Sequence, residues 1–128
     1  MKLPYAFAGI IVKGNQLGRT IGFPTANILP ENESEFPLPK GVYAVKAMVR
    51  GRTNSGMANV GVKPTLGLNR LNIEIHIFDF SEDIYGEMMS VKFIRYVREE
   101  RKFPTLEALK EQIGKDEIVI RKILSDLV

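Results

Sequence analysis

Short apolar runs separated by turn-forming residues occupy most of the chain and predict β-strands. The run at residues 5–12 is almost continuously apolar, so we expect a strand buried on both faces. Residues 71–80 alternate between apolar and polar side chains, which is typical of a strand with one core face and one polar face, and residues 42–49 form a second clear strand. The runs at 53–62 and 87–98 bring the number to five, and with the usual boundary error the pattern predicts about six strands.

The alternation assigns side chains to faces. In the strand at 71–80 it predicts a core face made of Leu71, Ile73, Ile75 and Ile77. The opposite, polar face carries Asn72, Glu74 and His76. In the strand at 87–98 one side is expected to carry Met89, Val91, Phe93 and Val97.

Turn-forming residues connect the runs. Arg50-Gly51-Arg52 is typical of a hairpin turn, and residues 67–70 indicate another. Residues 30–40 hold three prolines and three glutamates. This segment is expected to be a mobile surface loop long enough to act as a flap.

Helical patterns come only at the end of the chain. Residues 105–113 begin with Thr105 as a plausible N-cap and are expected to stop at Gly114. Residues 116–127 are expected to form a second helix, whose apolar stripe is Ile120, Ile123, Leu124 and Leu127. Strands followed by helices favour a mainly β fold, a small antiparallel barrel or strongly bent sheet with helices against one side.

Composition narrows the function. The 128 residues fit one domain, so 1–128 is interpreted as a single unit. The net charge is +3 with both signs mixed, which does not indicate a nucleic-acid partner. The absence of cysteine excludes disulfides and thiolate metal sites, and one histidine makes a zinc site a poor interpretation. No apolar run is long enough for a membrane span, so a cytoplasmic protein without a membrane partner is expected.

The segment after the first strand is the strongest candidate for a site. Gly14 and Gly18 allow backbone N–H groups to approach a ligand, and Arg19 offers a forked donor for phosphate oxygens. Thr25 and Asn27 lie two residues apart, so an extended segment would point both to one side, where they could share a metal or a phosphate. By spacing alone, an ordinary tight turn is the better interpretation.

Glu74 is the second candidate. Its neighbours on the polar face could make that face the wall of a pocket, in which a carboxylate would serve as a general base. For a single glutamate, a solvent-facing position is the commoner outcome. His76 is interpreted as a structural or pocket-lining residue, because it lacks partners for a metal site.

A mixed charge run forms the third candidate. It contains Arg95 and Arg98 and ends at Phe103. Such runs are usually solvated faces. The alternative is a loop whose cations and aromatic ring help to close a ligand site.

These pieces together resemble a known family. The stretch Gly-Arg-Thr-Ile-Gly-Phe-Pro-Thr-Ala-Asn at 18–27 is similar to the signature of riboflavin kinases, which also form the C-terminal half of bacterial bifunctional riboflavin kinase/FAD synthetases. Further segments follow in the family's order, among them 41–45, 58–65, 74–80, 83–86, 93–95 and 98–103. The resemblance covers essentially the whole chain.

The resemblance implies a six-stranded antiparallel Greek-key barrel with C-terminal helices. It also implies transfer of the γ-phosphate of ATP to the 5′-hydroxyl of riboflavin, with Mg²⁺, to give FMN and ADP. Thr25 and Asn27 would hold the magnesium and phosphates, and Glu74 would be the base. The implied binding residues for nucleotide and flavin are Gly14, Gly18, Arg19, Arg95, Arg98 and Phe103.

Two alternatives remain beside the kinase. A flavin-binding regulatory or carrier domain would keep the barrel without turnover, and an oligonucleotide-binding barrel is the weakest reading because acidic residues interleave the basic ones. No nucleotidyltransferase domain precedes Tyr5, so FAD synthesis is not expected. The chain is expected to be a monomeric kinase or one domain of a longer FAD synthetase.

Overall fold

A computed structural model describes residues 2–13, 22, 24–30 and 32–127. Among these residues, six antiparallel strands close into a barrel with the spatial order β1-β2-β5-β4-β3-β6. The strands are β1 (Tyr5–Val12), β2 (Ala26–Pro30), β3 (Gly41–Val49), β4 (Arg52–Thr65), β5 (Leu68–Ile77) and β6 (Met88–Arg98). They are followed by a single helix, α1 (Leu106–Ser125). The order β6-β3-β4-β5 is a Greek key, so the predicted fold is confirmed.

The barrel interior is filled by the inward side chains of all six strands. At one end the rings of Phe93 and Tyr43 meet edge to face at 5.3 Å. At the other end the core consists of aliphatic residues such as Ile11 and Ile77. Because a barrel of this size is packed with side chains, its interior serves stability and leaves binding to the outer surface and the ends.

Strand β1 is buried on one face only, so the prediction of two buried faces is wrong. Gly9 and Ile11 are buried, whereas Ala6, Ala8 and Ile10 are exposed. A closed barrel has one interior, and among the described elements α1 packs against β4 and β3. The continuous apolar run arose because small and aliphatic residues also occupy the outward positions.

Strand β6 changes face midway, which overturns the prediction for Val97. Met89, Val91 and Phe93 point into the core, as expected. The pairing with β3 then shifts register, so that one more residue fits between Phe93 and Tyr96, and Tyr96 packs against the core instead. Val97 lies against the outer cluster beneath α1. A β-bulge of this kind inverts the alternation that the sequence pattern assumes.

The segment after β2 is anchored, in contrast to the predicted mobile flap. A short 3₁₀ helix covers Glu33–Glu35, and Phe36 packs edge to face on Phe7 at 5.5 Å. Leu38 is buried. Glu33 accepts hydrogen bonds from Arg70 and from the backbone of Leu71, which lowers the pKa of its carboxyl below the usual value. The segment therefore closes the aromatic end of the barrel.

The two predicted turns both occur where the backbone has positive φ. Arg50 and Gly51 both have positive φ, 53° and 73°, and make the predicted two-residue hairpin turn between β3 and β4. The next turn falls at Leu66 and Gly67, and β5 already begins at Leu68, so the prediction of a turn over 67–70 is placed too late.

One continuous helix replaces the two that were predicted. Thr105 is the N-cap, and its hydroxyl accepts a hydrogen bond from the backbone N–H of Ala108 at 3.0 Å. Gly114 does not end the helix, because packing of Ile113, Ile120 and Leu124 against the sheet outweighs a glycine penalty of about 1 kcal/mol. Along the described chain, no helix is both long and apolar enough to cross a membrane.

The predicted stripe of the second helix holds except at its end. Ile120 and Leu124 are buried and Ile123 is partly buried beneath the helix. Leu127 lies beyond the last helical residue and is exposed, so its assignment to the stripe is wrong.

Candidate active site

A row of outward-facing side chains crosses the barrel beside α1. Cross-strand pairs of the ladder align Asn27 with Glu74, Glu74 with Asn59, Asn59 with Val42 and Val42 with Arg98. Residues directly opposite each other in antiparallel strands point to the same face. Five strands thus present one side chain each to the same side of the sheet.

The alternation of β5 places Glu74 in this row. Ile73 and Ile75 are each 1% exposed inside the barrel, so the residue between them must face outward. There Glu74 is half-buried in a groove of about 170 Å³ between the sheet and the N-terminal half of α1. The groove is lined by apolar and polar groups, including Met57, Phe103, Leu109 and Ile113.

Two carboxamide oxygens in the row have no partner within the described protein. The Oδ1 atoms of Asn27 and Asn59 are buried and accept no hydrogen bond there. Leaving a buried acceptor unpaired costs about 1–3 kcal/mol. Both lie on strands that flank Glu74, so the cost is concentrated where a bound donor or cation would offset it.

Asn59 was not among the residues singled out from the sequence. Its signals were its place in segment 58–65, which resembles the family, and its polar side chain in the otherwise small and apolar stretch Ala58-Asn59-Val60. Its importance depends on pairing with Glu74, which is 15 positions away and fixed by the β4–β5 register. Spacing along the chain does not carry that register.

A second cavity, of about 310 Å³, opens at the aliphatic end of the barrel. It is bounded by Pro24, Thr25 and Ile77 and by the connection from Phe80 to Tyr85. Thr25 lines this cavity and also the groove that contains Glu74. Thr25 is therefore shared by the two cavities.

The wall of the second cavity is fastened by Arg50 at the tip of the β3–β4 hairpin. Its guanidinium donates to Glu87 through Nε at 2.9 Å, to Glu82 through Nη1 at 3.0 Å and to the carbonyl oxygen of Asp83 at 3.0 Å. Hydrogen bonds from Arg50 lower the pKa of Glu87, and those from Arg52 and Arg50 lower that of Glu82. The hairpin tip thereby holds the connection between β5 and β6.

Where the groove meets β6 and α1, it is fixed by a buried ion pair. Arg98 donates to both carboxylate oxygens of Asp116, at 2.9 Å from Nε and 2.6 Å from Nη2. Asp116, 3% exposed, also accepts from Gln112 at 2.9 Å. The Arg98 guanidinium lies 5.9 Å from the centre of the Phe103 ring. This pair fastens α1 and the aromatic wall to the end of β6.

The structure brings together some of the candidate residues and leaves others apart. Thr25, Glu74, Arg98 and Phe103 line the groove, and Asn27 is 5% exposed next to Glu74. Arg95 is exposed on β6 and lines neither cavity. Gly14, Gly18 and Arg19 lie outside the described residues.

The available ligands suit magnesium better than a transition metal. No three acidic or histidine side chains gather into a metal site in the part of the chain that the structure describes. Two neutral oxygens are available, the hydroxyl of Thr25, which lines both cavities, and the unpartnered Oδ1 of Asn27 two residues along the chain. Mg²⁺ accepts such oxygens together with substrate phosphates and water, so these residues fit the ion.

Comparison with known proteins identifies the family of this chain. A family model described as Flavokinase, riboflavin kinase, matches residues 1–124. A bifunctional riboflavin kinase/FMN adenylyltransferase from Haemophilus influenzae is 50% identical over 115 residues, which cover 88% of this chain and 36% of that protein. This chain therefore spans little more than a third of that relative.

Two solved structures share the fold. A riboflavin kinase from Trypanosoma brucei superposes with a TM-score of 0.69 at 25% identity, over 97% of this chain and 82% of the other. A Streptococcus pneumoniae structure described as a macrolide-efflux protein gives a TM-score of 0.85 at 36% identity, over 92% of this chain and 38% of the other. With the family model spanning residues 1–124, the chain belongs to the riboflavin kinase family.

Proposed function

We propose that this chain is an active, Mg²⁺-dependent riboflavin kinase that transfers the γ-phosphate of ATP to the ribityl 5′-hydroxyl of riboflavin. The observation that carries the proposal is the position of Thr25, which lines both cavities, beside a groove containing Glu74. Phosphoryl transfer depends mainly on positioning two substrates and neutralising charge. A meeting point of two binding spaces with a carboxylate on one side suits that reaction.

The groove is assigned to riboflavin. Its apolar residues Met57, Leu109 and Ile113 and the Phe103 ring would cover a flat heteroaromatic ligand, and Asn59, whose Oδ1 has no partner in the described protein, also lines it. The cavity at the barrel end is assigned to ATP, since Pro24 and Thr25, which directly precede β2, line it. In this arrangement the γ-phosphate and the 5′-hydroxyl approach each other near Thr25.

Glu74 is assigned as the general base. Its carboxylate would accept the proton of the ribityl hydroxyl while that oxygen bonds to the γ-phosphorus. The bond between the γ-phosphorus and the bridging oxygen breaks, and ADP leaves with the electron pair. Such a base contributes about 10²–10⁴-fold to the rate.

Thr25 and Asn27 are assigned as the residues that hold magnesium. When bound, the ion neutralises charge on the phosphate oxygens. The residues' own contribution is orientation, because Asn27 is buried on β2 and paired in register with Glu74. Metal ligand and base are thus carried by adjacent strands of one ladder. ATP as co-substrate is consistent with a cytoplasmic location, which we also propose.

The proposal is tested by incubating the purified protein with riboflavin, ATP and magnesium chloride and separating the flavins by chromatography. FMN and ADP should form in equal amounts, and chelation of magnesium should stop the reaction. If ATP stays intact and no FMN forms, the assignment as an active kinase is wrong. Riboflavin binding without transfer would then identify a flavin-binding domain.

A further inference from the structure

His76 makes a contact that the proposed reaction does not yet use. It is the single histidine of the chain and lies on β5 two residues after Glu74, 8% exposed. Its Nδ1 atom is 2.8 Å from the carbonyl oxygen of Pro24. A carbonyl oxygen can only accept a hydrogen bond, so Nδ1 must carry the proton in this contact.

The accepting carbonyl belongs to the peptide group that leads into Thr25. The β2–β5 ladder begins one step later, with the pair Ala26 and Ile75. The Pro24 carbonyl therefore lies beyond the ladder, and Pro24 has no N–H with which to extend it. The imidazole thus ties this peptide to β5 where the backbone pairing does not reach.

The other side of the ring faces α1. Nε2 is 3.8 Å from Oε1 of Glu117, whose other carboxylate oxygen accepts from Arg121 Nε at 2.9 Å. The ring also packs edge to face on Phe78 with centroids 5.6 Å apart. Contacts from the helix and from the end of β5 therefore limit how the imidazole can turn.

We propose that His76 is a positioning residue that orients Thr25, by holding the Pro24–Thr25 peptide through its Nδ1–H group. It links α1, which roofs the groove, to the residue shared by the two cavities. The inference rests on the proposed role of Thr25 toward magnesium and phosphates. It assigns His76 no contact with the reacting atoms.

Two amide substitutions separate this role from simple packing. In His76→Asn the side-chain amide nitrogen can occupy the place of Nδ1, whereas in His76→Gln it reaches the place of Nε2. The dissociation constant of Mg²⁺·ADP, measured by calorimetry, should stay within about threefold in His76→Asn and rise at least tenfold, about 1.4 kcal/mol, in His76→Gln. Equal constants in the two variants would overturn the proposal.

Asn72 provides the matched control. It lies on the same outward face of β5, two residues before Glu74, and is half-buried. Asn72→Ala should leave the Mg²⁺·ADP constant unchanged, and a comparable weakening there would show a general effect of altering β5 and would contradict a specific role for His76. Because calorimetry with ADP needs no turnover, an inactive wild type that binds Mg²⁺·ADP would refute the kinase proposal without refuting this one.

The wild-type protein allows a direct measurement. With ¹⁵N-labelled histidine and any affinity tag removed, the imidazole signals come from His76 alone. Long-range ¹H–¹⁵N correlation spectra, recorded at a pH where the ring is neutral, should show the proton on Nδ1. A proton on Nε2 would overturn the proposal independently of any variant.

Discussion

The two faces of β5 serve opposite purposes although they alternate along one strand. Inward residues such as Ile73 and Ile75 are buried among apolar neighbours. The outward Glu74 lies between Asn27 and Asn59, whose Oδ1 atoms are buried without partners in the described protein. The inner face stabilises the fold, whereas the carboxamide oxygens beside the outer face have no partner among the described residues. We infer that this cost is retained because a ligand relieves it.

The largest expected effect tests the outer face of β5, by the substitution Glu74→Gln. The amide keeps the size of the side chain but cannot take the hydroxyl proton, so kcat should fall by about 10²–10⁴-fold. The Mg²⁺·ADP dissociation constant and the thermal midpoint should change little, because the strand keeps its inward residues. Near-normal turnover would show that Glu74 is not the base.

The matching change is made inside the barrel, at Phe93 on β6, and should alter the free energy of unfolding. Phe93 packs on Tyr43, Phe36 and Phe7 inside the barrel. Phe93→Ala should lower the free energy of unfolding by about 3–5 kcal/mol, measured by urea denaturation. The conservative Phe93→Leu should cost clearly less. A loss below about 1 kcal/mol for alanine would show that the aromatic end is not well packed.

The comparison is sharpened by removing one unsatisfied acceptor. Asn59→Val replaces the orphan carboxamide with an apolar side chain suited to a strand. The unliganded protein should be as stable as the wild type or more stable by about 1 kcal/mol, while riboflavin affinity falls about tenfold. Denaturation and fluorescence titration measure the two effects. A destabilised variant with unchanged riboflavin affinity would reverse the interpretation.

The smallest expected effect is a pH dependence of stability that comes from Tyr43, inside the barrel on β3. Burial raises the pKa of Tyr43 to about 12, and its hydroxyl donates to the carbonyl oxygen of Pro39 at 2.5 Å. Because the unfolded chain releases this proton near pH 10, stability is complete below that pH and falls by up to about 1.4 kcal/mol per unit as pH rises toward 12.

Tyr43→Phe isolates this contribution. Urea midpoints at pH 9, 10 and 11 should decline less steeply in the variant than in the wild type, since both share every other titrating group. Parallel declines would mean that Tyr43 does not titrate differently in the folded and unfolded states.

The sequence was sufficient for features with a regular period. Alternation located β3 and the inward residues of β5, and family resemblance supplied the closed barrel. The bulge in β6 could not be predicted from the sequence, because an inserted residue is defined only by its pairing with the partner strand. Gly114 misled because a local penalty of about 1 kcal/mol is smaller than the packing of α1 on the sheet.

Individual residues of the candidate site were predicted from the sequence, but their spatial arrangement was not. Thr25, Asn27 and Glu74 were identified by residue type, spacing and resemblance, yet their common position depends on the β2–β5 register. Asn59 and the Arg50 contacts depend on partners 15 to 37 positions away. Such long-range pairs carry no periodic signal along the chain.

The two cavities are held by ion pairs that differ in their exposure to water. Arg50 and its carboxylate partners are partly open to water, with side-chain exposures of 35–41%, whereas Arg98 and Asp116 show only 13% and 3%. Dissolved ions screen exposed charges much more than enclosed ones. Salt should therefore loosen the connection at residues 79–87 and leave the end of β6 attached to α1. Ionic strength becomes a means of softening one binding space while the other stays rigid.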